Sequence, residues 1–233
     1  MRAWVLSCAA ALGLAVAAAP RAEEAEIVLE LFTSQGCNAC PPADELLAEL
    51  AERPGVIALA LHVDYWNYLG WRDTFSMPGN TARQRDYARM FGERMIYTPQ
   101  LVVNGSTGVV GSRRDAVERA LANAGPMTVS VSIARDGDML TAEARSQGPV
   151  SADVLYVVYD APATVRPTSG ENDGRELTTV NPVRMMTTLA RWEGGEGSWT
   201  LPAPADAQGV VVMVQSATDR RVLGAARYDR AGR

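Results

Sequence analysis

A chain of 233 residues has room for two domains of ordinary size, and with 47% apolar residues it supplies a core, so wholesale disorder is excluded. The formal charge is −5 with both signs scattered, and all 22 basic residues are Arg. No basic face for nucleic acid and no polybasic membrane-binding block is present.

The first 22 residues stand apart. Met1-Arg2 is a short positive start, followed by "AWVLSCAAALGLAVAAA". Small residues at Val16, Ala17, Ala18 and Ala19 suit a signal peptidase; Pro20 disfavours a cut after Ala19, so cleavage is expected after Ala18 or near Ala22. The protein is thus expected to be periplasmic or secreted, meeting the membrane only in transit. Cleavage removes Cys8 and leaves Cys37 and Cys40. One bridge across so short a loop constrains little of the unfolded chain, so the pair is expected to serve chemistry rather than stability.

Residues 27 to 33, "IVLELFT", read as a buried strand, and 40 to 52 as a helix with Leu46, Leu47 and Leu50 on one face and acids early. "VIALALHV" (56 to 63) is a second buried strand, followed by the aromatic loop "DYWNYLGWRDTFSMPGN". A helix is expected over 80 to 93, capped by Asn80 or Thr81. "TPQLVVNGSTGVVG" reads as a hairpin turning at Asn104-Gly105, and 112 to 124 as a helix capped by Ser112. After Pro126 seven strand-like runs follow without a helix: "TVSVSIA", "MLTAEAR", "DVLYVVYD", "VRMMTTLAR", "GSWTL", "GVVVMVQ" and "RVLGAARY". They predict an antiparallel sandwich.

The pair Cys37-Asn38-Ala39-Cys40 falls where a strand gives way to a helix. Unpaired N–H groups and the dipole of a first helical turn stabilise a thiolate there, which makes Cys37 the expected nucleophile and Cys40 the resolving thiol. Pro41 and Pro42 fit that first turn, where a missing N–H is tolerated. Zinc sites use the same Cys spacing, so the motif alone does not decide.

The element order over 27 to 125, with Thr98-Pro99 before a strand, resembles the thioredoxin fold. The resemblance implies that Pro99 is cis and packs by the cysteines, and that Thr98 offers its backbone to a substrate chain. It also implies that the buried acid Glu30 could shuttle a proton. "LELFTSQGCNACPPAD", "HVDYWNYLGWRD", "YTPQLVVNG" and "GENDGREL" together resemble the DUF1223 family, secreted thioredoxin-like proteins of unknown function. That likeness spans essentially the whole mature chain and implies its two-part, exported character, but supplies no substrate.

Further candidates complete the reading. His62, the single histidine, could join Cys37 and Cys40 in a Cu(I) or zinc site, with Asp64 as a fourth ligand and Met77 nearby. Tyr65, Trp66, Tyr68 and Trp71 could line a substrate groove; Arg72-Asp73 reads as a local ion pair or a solvated one. In the polar loop 166 to 182, Arg166, Glu171, Asn172, Asp173 and Arg175 could reach the cysteines.

The resulting expectation is an α/β plus all-β chain: signal peptide 1–22, thioredoxin-like domain 23–126 and β-sandwich-like domain 127–233. Its expected activity is thiol–disulfide exchange with protein thiols or disulfides, without cofactor beyond the redox-active disulfide and without nucleic acid. The alternatives are a Cu(I)- or zinc-binding protein and a non-catalytic adaptor with a structural disulfide. Oligomeric state is left open.

Overall fold

A computed structural model describes residues 23–230; the expected signal segment, residues 1–22, lies outside them. The described chain is a mixed α/β structure, mostly strands, in several sheets. Its first part runs β1 (Glu23–Glu24), β2 (Ile27–Thr33), α1 (Pro41–Ala51), β3 (Val56–His62), α2 (Pro78–Phe91), β4 (Gln100–Val103), β5 (Thr107–Val110) and α3 (Arg114–Ala122). Strands follow: β6 (Val129–Asp136), β7 (Met139–Tyr159), β8 (Ala163–Val165), β9 (Leu177–Thr179), β10 (Val183–Pro202), β11 (Gly209–Ser216) and β12 (Val222–Asp229).

The four-stranded sheet has the order β3-β2-β4-β5, with β2 parallel to β3 and antiparallel to β4. Its central strands are buried and mainly apolar because both faces are covered. Leu29, Leu31, Ala58 and Leu101 pack with Leu46, Leu47 and Leu50 of α1 and Val117 of α3. On the opposite face Val28, Phe32, Leu59 and Val102 meet Tyr87 of α2 and Leu155, Val157, Val211 and Met213 of the larger sheet. One apolar core therefore draws on residues from both sides of Pro126.

Two helix starts differ from expectation. α2 begins at Pro78 with Met77 in the cap position, where proline's missing N–H costs nothing. Asn80 and Thr81 lie inside the helix and point inward: Asn80 donates to the His62 carbonyl (2.9 Å) and Thr81 to Asp64 Oδ1 (2.6 Å). α3 has Arg113, not Ser112, in the cap position, without a side-chain bond. The Asn104-Gly105 turn is where it was expected, with φ of 46° and 65°, both positive as a two-residue hairpin turn demands.

The seven runs after Pro126 form five strands. "MLTAEAR" and "DVLYVVYD" are halves of β7, and "VRMMTTLAR" and "GSWTL" are halves of β10. Gly148-Pro149 does not end β7, because the partner strand bends with it through register slips at Gly194. Gly194 has φ +104°, and a Cβ there would stand 2.6 Å from the Gly148 carbonyl oxygen, so only glycine permits the bend. The first half of β7 pairs with β6 and the second with β11. The folded-over sheet closes a second core around Val131, Ile133, Leu140, Val154 and Val212. The segment expected as a plain loop carries β9, which pairs with β8 as a separate two-stranded arm.

Candidate disulfide site

Beyond Thr33 the chain turns through Ser34-Gln35-Gly36 into α1. Cys37 N–H donates to the Ser34 carbonyl (3.1 Å) and Cys40 N–H to the Cys37 carbonyl (3.2 Å). Cys37 and Cys40 are joined in a disulfide and are 1% and 0% exposed. The expected set of free N–H donors is thinned here. Pro41 and Pro42 have none, Cys40 has spent its own, and Asn38 N–H donates to Glu171 Oε2 (3.1 Å). The helix dipole remains as the main thiolate-favouring element of the turn.

The Thr98-Pro99 peptide is cis, as the thioredoxin resemblance implies. Phe32 pairs with Gln100, so Pro99 lies at the end of the sheet from which the cysteine turn departs. Trp66 links the two: its ring nitrogen donates to Thr98 Oγ1 (2.8 Å), and it lies against Gly36, where an added Cβ would be 3.1 Å from Trp66 Cβ. Trp71 donates to Gln35 Oε1 (2.8 Å), and Tyr65 donates to Gln84 (3.2 Å). Burial, opposed by hydrogen bonding with Thr98 and Gln84, pushes the Tyr65 phenol up to about 12. The polar ends of these three rings are thus spent within the protein, and the aromatic segment braces the cysteine turn; Tyr68 alone of the four is largely exposed.

Behind the disulfide lies a buried polar cluster that the sequence did not reveal. Asp44, one helical turn beyond Cys40, accepts from Thr33 Oγ1 (3.1 Å), while its buried Oδ1 makes no hydrogen bond within the protein. Burial raises its carboxyl from 3.8 to about 7, against the opposing pull of His62. Asp73 is buried, correcting its reading as solvated or as a partner of Arg72. Its Oδ2 accepts from His62 Nδ1 (2.7 Å) and from Gln35 N–H (2.7 Å), and its Oδ1 from Phe75 N–H (2.9 Å). His62 Nε2 is 3.0 Å from Thr179 Oγ1. Burial opposes the charged imidazole, but the Asp73 carboxylate outweighs it and holds the His62 pKa above its ordinary value. Burial likewise opposes the Asp73 carboxylate, and His62 with the Gln35 and Phe75 amides outweighs it, so that its pKa is lowered.

These bonds bear on the metal alternative. Both ring nitrogens of His62 are engaged, Asp64 is tied to Thr81, and Met77 sits in the cap position of α2. No group of three or more His, Cys, Asp or Glu suited to a metal occurs among the described residues. In this arrangement Cys37, Cys40 and His62 do not form an open ligand set.

Glu30 lies elsewhere in the core. It is fully buried between the sheets and receives both Arg83 Nε (2.5 Å) and Nη2 (3.0 Å). The Tyr87 hydroxyl donates to Glu30 Oε2 (2.5 Å), and Gln215 of β11 bonds Arg83 and Tyr87. A carboxylate so fully engaged is a structural partner of Arg83, and the acid nearest the cysteines along α1 is Asp44.

The β8–β9 arm ends on the cysteine turn. Asn172, 1% exposed, donates through Nδ2 to the carbonyls of Gln35 and Cys37, both at 2.9 Å. Ser169 donates to the Gly70 carbonyl (2.7 Å). Of the five arm residues named from sequence, Glu171 and Asn172 reach the turn. Arg175 is exposed and orients Asn172 by donating to its Oδ1 (2.9 Å), while Arg166 pairs with Glu176.

The fold and site define a strand-rich α/β protein that carries a covered disulfide at a helix start. The chain belongs to the family described as Protein of unknown function (DUF1223), which matches over residues 28–215. It is similar to the X-ray crystal structure of a structural-genomics target protein from Agrobacterium tumefaciens, with 33% identity and a TM-score of 0.76 over 88% of this chain and 94% of that one. No curated protein matches it.

Proposed function

We propose that the protein is an exported thiol–disulfide oxidoreductase, acting through Cys37 and Cys40 on protein thiols or disulfides. The observation that carries this reading is the Cys37–Cys40 bridge at the start of α1, with the buried Asp44, its carboxyl raised by burial to about 7, one turn behind it. The order β2-α1-β3-α2-β4-β5-α3 and the cis-Pro99 support a thioredoxin-like unit, and the folded-over sheet supports a sandwich-like second one. The leader-like residues 1–22 support export.

In the reducing direction the Cys37 thiolate attacks one sulfur of a substrate disulfide. A Cys37–substrate bond forms, the substrate bond breaks, and the departing sulfur takes a proton. Asp44 accepts the Cys40 proton; the Cys40 thiolate then attacks Cys37 Sγ and expels the second substrate sulfur. Two electrons reach the substrate, and the Cys37–Cys40 bridge closes. Cys37→Ser is expected to abolish exchange, and Cys40→Ser to accumulate a mixed disulfide. With Cys40→Ser in place, the pH profile of Cys37 alkylation reports the thiolate: a transition well below about 8.5 supports catalysis. Full exchange activity in Cys37→Ser would end this mechanism.

Burial of both sulfurs favours a second reading, a permanent disulfide in a protein-binding adaptor. A bridge that resists dithiothreitol in the folded protein at every concentration would support it.

A further inference from the structure

We infer that Asn172 is a specificity-determining residue of the disulfide site, through an arm that admits slender thiols, those of extended protein segments included, and disfavours folded partners. The inference rests on the redox reading above. Neither cysteine residue is more than 1% exposed, so a thiol reaches the bridge only when something moves. The tip of the arm is the element built to move. Its segment between β8 and β9 is held to the cysteine turn by side-chain bonds: Asn172 to Gln35 and Cys37, and Glu171 to Asn38. Ser169 holds it to Gly70 next door. At its base the two-stranded β8–β9 sheet is anchored beside β3, through Thr179 to His62 (3.0 Å) and through Asn181 to Ala58 (2.9 Å) and Ala60 (3.1 Å), which leaves the tip as the part held by side-chain bonds to the turn. Such a tip opens locally, without unfolding either core.

The two bonds from Asn172 are buried, whereas the Glu171 bond is exposed. Asn172 is therefore the latch. Its Nδ2 occupies two carbonyls that border Cys37, and Arg175 fixes the amide's direction through Oδ1. The charged and titratable groups facing the cysteine turn are Glu171 on the arm, Asp44 on α1, His62 at the end of β3 and Asp73 in the aromatic segment. A small displacement of the tip admits a single slender thiol. A folded protein must lift the tip away from the turn altogether, and so meets a larger cost.

One thiolate of a dithiol attacks the bridge, and the leaving cysteine takes up a proton. The second reagent thiolate then attacks the mixed disulfide, so that the reagent departs as a disulfide and both cysteines are reduced.

The experiment compares reduction rates of the intact mature protein by dithiothreitol and by excess reduced thioredoxin, in wild type, Asn172→Ala and Asn172→Asp. The Asp variant keeps the side-chain shape, but has no donor for the two carbonyls. Loss of two buried hydrogen bonds is expected to raise the dithiothreitol rate about tenfold, and the thioredoxin rate by a further factor of about ten as the size barrier falls. Circular dichroism verifies that the variants are folded, and the Asp variant serves if the Ala variant is not. Unchanged rates in the folded variant would overturn the latch. An equal rise for both reagents would overturn size selection. The redox reading fails separately, on an alkylation transition of Cys37 near or above that of a free thiol.

Discussion

Arg83→Ala is expected to lower the folding free energy by about 3–5 kcal/mol, the cost of stranding a buried carboxylate. Arg83 of α2 meets Glu30 of β2 and Gln215 of β11 in the layer where the two large sheets pack. Burial works against its charge, but Glu30 and the Tyr87 oxygen outweigh that and raise its pKa above the ordinary value, so it is a permanent cation. Burial first, with Glu30 also acting, raises the Tyr87 phenol, which therefore stays a donor. Removing the guanidinium leaves Glu30 with the Tyr87 hydroxyl as its remaining partner, in a shell of Val, Leu and Phe side chains. The pair itself need not add net stability, because burying both charges is costly. Glu30→Leu with Arg83→Met should therefore recover most of the loss, while Gln215 and Tyr87 keep their mutual bond (2.9 Å). Urea unfolding of the two variants measures this. A loss below about 1 kcal/mol in Arg83→Ala would show that the network is hydrated or relaxes easily.

Much of this was legible in the sequence because local rules and tertiary packing agree. The apolar runs of β2 and β3, the Asn104-Gly105 turn and the Cys37–Cys40 pair are local signals, and each lies where it was read. The strand count after Pro126 failed because Gly148-Pro149 reads as a break. Only the partner bend at Gly194 turns it into a continuation of β7, and strand pairing is not a local property. Glu30 is an acid in the strand leading to the cysteines, and the thioredoxin resemblance implies a proton shuttle there. Strand alternation puts it on the face toward α2 and the large sheet, with Arg83. Asp44 was read as an acid favoured by the helix dipole. Its sequence signal was its place four residues after Cys40 on a helix whose neighbouring positions, Ala43 and Leu47, are buried. Asp73 gives no comparable signal, because its pairing with His62, 11 residues away, is set by tertiary packing; Asn172 is signalled only as one of several polar residues of the 166–182 loop, and its partner Cys37 lies 135 residues away.

The second large effect belongs to Asp44. Its carboxyl titrates near 7 in the folded protein, against an ordinary 3.8, with burial as the main cause. Well below its ordinary value of 3.8 it is protonated whether the chain is folded or not, and it contributes nothing to pH dependence. Between about pH 4 and 7 the unfolded chain gives up this proton while the folded one keeps it, so stability falls as pH rises. Above 7 the cost is constant, at most about 4 kcal/mol. His62 adds a loss in the same direction at higher pH: its raised pKa gives stability that is complete below about 6.5 and fades as pH passes the folded value. Asp73, with a lowered pKa, acts at the acid end, where its contribution is lost as pH falls below about 4. Asp44→Asn is therefore expected to match wild type near pH 4 and to exceed it by about 2–4 kcal/mol at pH 8. Denaturant unfolding at the two pH values tests this, and a gain that is equal at both would remove burial of a charge as its cause. In the same variant, resolution by Cys40 is expected to slow by about 100-fold at pH 7 and to recover as pH approaches the thiol's own value, about 8.5. A variant that is more stable and slower would mean that the chain carries a buried acid at a standing cost, one helical turn from Cys40, as the base of the resolving step. One that is more stable and equally fast would reduce Asp44 to a packing feature of α1 and move the search for the base to His62.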